Sequence, residues 1–295
     1  MRKVIFCTLD SMSSSFHRWI HPAVLVLALV FYAVRTPQAS ALEQPFDHSA
    51  WSQFLETFVN DLGEVDYEAV RKDRGPFDRY LKQLSQINNK EFETSWPREE
   101  RMAVLINAYH AGIIQAVVDS YPIRSIQDIP GIWNIEFIRI GTDFFSLNRI
   151  RRNDLVNVFR DEKIHMALSC GAKGGPKLRR EAYTGARVEG QLFLAARDFV
   201  NDPLRNRIIP GNKNLELSPI FKWYGMDFVL DFGSYQYDGE GRQNFSKIEM
   251  SVLSFLVHYL DDSEKISYLK QSKYKITYLP FDWSLNDWKR SKANE

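Results

Sequence analysis

Apolar positions recur at helical spacing through the first third of the chain, where Phe77, Tyr80, Leu81, Leu84 and Ile87 share one face. A second helix is predicted from Pro97. Glu99 and Glu100 fall in its first turn, where acidic side chains favour the positive end of the helix macrodipole. It runs to about Ser120 and stops at the Tyr121-Pro122 pair, because a residue before proline is pushed out of the helical region. Leu105, Tyr109, Gly112 and Ala116 form one apolar stripe, and Ala103, Ile114 and Val117 form another. A helix apolar on all sides is a buried helix.

Beyond Trp133 the pattern changes. Ile135, Phe137 and Ile140, then Phe144, Phe145 and Leu147, flank Gly141-Thr142-Asp143 and predict a hairpin. A helix follows near Arg149 to Phe159, then a short apolar element from His165 to Cys170, then a helix from about Val188 to Asn201. Short strands are predicted at Asn206 to Ile209 and Leu215 to Leu217. Ser218-Pro219 through Gly225 reads as a compact helix, with a serine cap, proline at the first position and glycine past the end. Ser246 and Glu249 form a capping box, and Tyr274, Ile276 and Tyr278 alternate as a last strand. The expectation is an α+β fold, a single helix-rich domain over residues 42–295 packed around a small mixed or antiparallel sheet.

The N-terminus carries Arg2, Lys3, His17 and Arg18, then an apolar run of 13 residues from Pro22 to Val34, then Ala39-Ser40-Ala41. This pattern predicts a secretion signal over residues 1–41, cleaved near Leu42, and a periplasmic or secreted product. A spanning helix needs about 20 apolar residues, so a cleaved signal is favoured over a permanent anchor and no stable membrane span is expected after cleavage. Removing four basic residues and Asp10 with the signal leaves 34 basic and 36 acidic side chains. That near balance gives no electrostatic footprint for nucleic acid. Hydrophobic content of 44%, with 14% aromatics, is enough for a substantial core.

With Cys7 in the signal, Cys170 is the lone thiol of the mature chain, which excludes a disulfide framework. Gly171, Gly174 and Gly175 follow it, with Lys173, Lys177, Arg179 and Arg180 nearby, a setting that favours thiolate and nucleophilicity. The alternative is a small apolar residue closing a buried element. His165 is the nearest candidate base. Five residues apart, the two would lie ~16 Å from each other on opposite faces of a strand, or about 140° apart around a helix. Only a bend would join them, whereas His110 or His258 could reach Cys170 through the fold. Asn107 and His110 lie on the buried helix and must find partners, in a network or at the polar end of a pocket lined by Tyr109 and Trp283. Asp282 and Asn286 are candidates to orient an imidazole, or to cap a turn. No metal or cofactor is expected: the mature histidines, His48, His110, His165 and His258, lack ligand spacing, and no phosphate loop, dinucleotide fingerprint or G-x-S-x-G elbow is present.

Several runs together resemble a bacterial and plant family, the domain of unknown function 547. They are Glu64-Val65-Asp66-Tyr67, Leu105-Ile106-Asn107-Ala108-Tyr109, Tyr121-Pro122-Ile123-Arg124-Ser125-Ile126, Ser146-Leu147-Asn148, Ile164 to Arg179 with Glu181-Ala182-Tyr183, and Phe281 to Asp287. The family has no agreed activity to carry over. The chain departs from its pattern at Gly175, where a second cysteine is usual, at His110, where asparagine is usual, and at Ile150-Arg151-Arg152, where a Glu-His pair is usual. The resulting expectation is an exported, non-catalytic envelope module that binds a small molecule or an envelope protein. Asn107, Tyr109, Trp283 and Asn286 are its candidate ligand contacts. The alternative is a Cys-dependent hydrolase or acyl transferase, with Cys170 as nucleophile, His165 or His110 as base and Asp282 or Asn286 as orienter.

Overall fold

The apolar faces close into two clusters in the computed structural model, which describes residues 45–231 and 237–289. The predicted signal lies outside the described residues. In the first cluster, α1 (Ser49–Phe58), α2 (Tyr67–Lys72), α3 (Gly75–Leu84) and α4 (Asn89–Thr94) pack around α5 (Arg98–Ser120). Local chemistry sets their starts: Asp66 accepts from the Ala69 N–H at the head of α2, and Asn88 accepts from the Glu91 N–H at the head of α4. Trp51 stacks on Phe54 and on Tyr80 at 5.0 and 5.2 Å between ring centroids, a large apolar payload at the centre of the cluster. Among the described residues α5 has the length and hydropathy to cross a membrane, but it is enclosed by protein on nearly every side.

The hairpin forms as β1 (Ile138–Ile140) and β2 (Asp143–Phe145), antiparallel, with Ile140 opposite Asp143. Gly141 turns at φ +60, and a Cβ there would lie 2.4 Å from the Ile87 carbonyl oxygen, so glycine is required twice over. Where the sequence predicts one α-helix from Arg149 to Phe159, the chain makes a π-helix over Arg149–Val156 and continues as α6 (Asn157–Phe159). The short α7 (Ile164–Ala167) follows.

The second cluster gathers β3 (Asn214–Leu217), α9 (Ile220–Trp223), α10 (Gly225–Asp231), α11 (Lys247–Tyr259), α12 (Ser263–Gln271) and β4 (Lys275–Tyr278). Between the clusters runs α8 (Val188–Asn201), which gives Val188, Leu192 and Ala195 to the first and Ala196, Phe199 and Val200 to the second. The fold is α+β, but its strands do not form one sheet: β1–β2 is an antiparallel pair and β3–β4 a separate parallel one. Of the expected strand at Asn206 to Ile209, only Arg207 bridges to Glu216. Gly225 does not end the structure after α9 but opens α10, with the Asp227 N–H bonded to the Tyr224 carbonyl at 2.9 Å.

Candidate functional site

The chain bends between α7 and Cys170, and both His165 and Cys170 line one pocket. The helix ends at Ala167, Leu168 is extended, and Gly171 turns the chain at φ +76. His110, buried on α5, supports the bend from below: its Nε2 lies 3.1 Å from the Ala167 carbonyl and 3.1 Å from the Ser169 N–H. Burial holds the His110 pKa down at about 4, so the ring is neutral at pH 7 and does not share the pocket above.

That pocket encloses about 320 Å³ and takes its walls from both clusters. Tyr109 on α5, Trp133, Arg151 on the π-helix, His165 and Cys170 line it together with Trp223 at the end of α9, Tyr224, Phe281 and Trp283. Trp283 is delivered by the C-terminal segment, which pairs with the turn after Cys170: Lys173 and Gly174 donate to the Ser284 and Asp282 carbonyls at 2.9 and 2.8 Å, and the Asn286 N–H donates to Gly171 at 3.0 Å. The indoles of Trp223 and Trp283 stack at 6.0 Å, and Trp133 meets Trp283 edge-on at 6.4 Å. A neighbouring hollow of about 360 Å³ is rimmed by charges that neutralise one another, Arg179 with Asp198 and Arg180 with Asp61.

His165 is stacked flat on Tyr224 at 4.3 Å, and its Nε2 lies 2.9 Å from Asp227 Oδ2. The hydrogen bond from His165 holds the Asp227 carboxyl below its usual range, while burial drives the imidazole pKa down against the pull of Asp227. The pair is therefore a carboxylate accepting from a neutral ring, which leaves Nδ1 as an acceptor; that nitrogen is buried without a partner. Burial pushes the Cys170 thiol up to about 11, against a smaller opposing effect from the Ala172 N–H.

The other candidate residues sit elsewhere. Asn107 is bonded twice to the Tyr183 backbone, at 2.7 and 3.0 Å, and lies 3.1 Å from His48 Nδ1. Asp282 accepts from the Ser284 N–H and hydroxyl at 2.9 and 2.5 Å, a turn cap. Asn286 accepts from the Tyr67 hydroxyl at 2.6 Å and donates to the Gly63 carbonyl at 3.1 Å. His258 is exposed near the end of α11. The imidazole partner that sequence reasoning missed is Asp227. No local pattern pointed to it, because the contact joins α7 to α10 across 62 residues.

A family model described as "Protein of unknown function, DUF547" matches residues 93–200. Over that stretch the chain resembles DUF547. No curated protein and no solved structure matches the chain. The DUF547-like stretch holds α5, the hairpin, the π-helix, the His165–Cys170 bend and α8 up to its last residue but one. Asp227, Trp223 and Trp283 lie beyond it, as do the Glu64–Tyr67 and Phe281–Asp287 runs. The pocket lining thus comes in part from the DUF547-like stretch and in part from outside the match. Among the described residues, no three His, Cys, Asp or Glu side chains gather as a metal-binding group.

Proposed function

We propose that the chain works as an exported binding module whose aromatic pocket holds a small ligand, with no covalent step at Cys170. The observation that carries this reading is an aromatic-walled cavity of small-molecule size on which Cys170 opens, with burial disfavouring its thiolate. A thiol pushed up to about 11 is protonated at pH 7. The imidazole sharing the pocket is neutral and bonded to Asp227, so proton transfer from sulfur to ring runs uphill. The cavity meanwhile has the size and the mostly apolar lining typical of small-molecule sites. Export is supported by the basic, apolar and small-residue order of the first 41 residues.

The test is the rate of Cys170 alkylation against pH, read by peptide mapping so that Cys7 is counted separately. The expected rate is slow at neutral pH and still climbing past pH 9. A plateau below the free-cysteine value of about 8.5 would overturn the binding reading. It would favour the second one, a Cys-dependent hydrolase or acyl transferase with Cys170 as nucleophile and His165 as base. That second reading rests on one arrangement: Cys170 and a carboxylate-oriented His165 line the same cavity.

A further inference from the structure

The pocket lining is largely aromatic and neutral except at Arg151, which feels the Asp227 carboxylate but makes no close ion pair. The Arg151 side chain leaves the π-helix and lies over the Tyr224 ring, its guanidinium carbon 4.7 Å from the centroid. Nη2 donates to Asn148 Oδ1 at 3.1 Å, while Nη1 is buried with no hydrogen-bond partner. The adjacent Arg152 is different. It pairs with Asp227 at 3.5 Å, and Asp227 is also engaged by His165. Among the described residues no carboxylate lies within ion-pair distance of Arg151. A buried guanidinium N–H without an acceptor is costly, and the fork geometry of arginine suits a carboxylate above other acceptors of its size.

We propose that the ligand is a planar monocarboxylate: its carboxylate bonds Arg151 and its flat apolar body lies against Trp223 and Trp283. This inference rests on the reading of the pocket as a ligand site. Arg151, Arg152 and Asp227 together leave one net positive charge, which a single negative one balances. A phosphate dianion would leave a charge uncompensated between aromatic walls, and His165 Nδ1, an acceptor, would not relieve it.

The test compares 2-naphthoate with its neutral twin 2-naphthamide on the purified protein, by quenching of tryptophan fluorescence and by calorimetry. The acid is expected to bind roughly tenfold more tightly or better, as a charge-assisted bidentate bond allows. Its advantage should shrink as salt is raised, and Arg151→Gln should abolish it, with the thermal melt of the variant showing that it is folded. If the amide binds as tightly as the acid, or the Arg151→Gln protein keeps the preference, the carboxylate inference fails and the ligand pocket stands. If neither probe binds, or Trp283→Ala leaves binding of both unchanged, the pocket reading fails and the inference fails with it.

Discussion

Gly175 leaves the Cys170 sulfur room that any side chain would take. A Cβ at this position would lie 2.9 Å from Cys170 Sγ, close to the Cβ-to-sulfur separation of about 3 Å across a disulfide bond. Two substitutions therefore have opposite expected outcomes. Gly175→Ala places a methyl group against the sulfur and should destabilise the protein by roughly 1–3 kcal/mol in a denaturant titration. Gly175→Cys, treated with oxidised glutathione, should close a bridge between Cys170 and the introduced thiol, seen as the loss of two hydrogens in peptide mass spectrometry and the loss of Cys170 alkylation. Two free thiols after oxidation would mean that the turn holds Gly175 further from Cys170 than the geometry gives. The same scale explains what sequence reasoning saw in Cys170. Its glycine-rich setting was legible, but its proton affinity was not, because burial dominates and Arg179 and Arg180, which suggested a thiolate, pair with Asp198 and Asp61 instead.

At the scale of elements, the turn that follows Cys170 is held from outside by Arg205. Its Nε donates to the Gly175 carbonyl at 2.7 Å, Nη2 donates to the Lys173 carbonyl at 3.1 Å, and Nη1 pairs with Asp202. Arg205→Ala should leave both carbonyls short of a donor, cost roughly 1–3 kcal/mol of stability and speed Cys170 alkylation by loosening the turn. Arg205→Lys should not restore the wild-type rate, since a lysine lacks the planar fork that reaches two carbonyls at once. An alkylation rate unchanged in the alanine variant would contradict this support role. The elements themselves were partly legible. The buried α5 begins one residue after Pro97, α8 spans Val188–Asn201 as its periodicity predicts, and Ser246 and Glu249 bond each other's backbone N–H groups at the head of α11. The π-helix and α10 were not legible, because neither carries a cap or a period distinct from an ordinary helix or a loop.

For the whole molecule, buried neutral histidines set the response to acid. The pKa values of His48 and His110 are each lowered by burial to about 4, and that of His165 is lowered as well. The unfolded chain therefore binds more protons than the folded one between pH 6.5 and 4. Stability is present in full above that window and is lost as pH falls through it, by roughly 3 kcal/mol for each of His48 and His110. Glu100 and Asp154, whose carboxyls are raised by burial, act in the opposite sense, and the paired Asp227 adds a further loss below the usual carboxylate range. The expected result is a melting temperature that drops from pH 6.5 to 4. A flat profile across that window would mean that the histidines take up protons without opening the fold.

Sequence alone determined the long helices α5 and α8, the capping box of α11, the hairpin and the two aromatic residues Tyr109 and Trp283 that reach the pocket. The helices, the box and the hairpin follow from interactions within a turn or two of chain, where the partners are already close and little loop entropy opposes them. Only the tertiary structure decided the site. His165 meets Asp227 across 62 residues, and β3 pairs with β4 from the far side of α9 to α12. Trp283 faces Trp133 only because the C-terminal segment returns to the Cys170 turn. Such encounters require closing long loops, an entropic cost that only burial of the two apolar clusters offsets. Which polar groups end up sharing a cavity, and which are left without a partner, is therefore settled by how the whole chain packs.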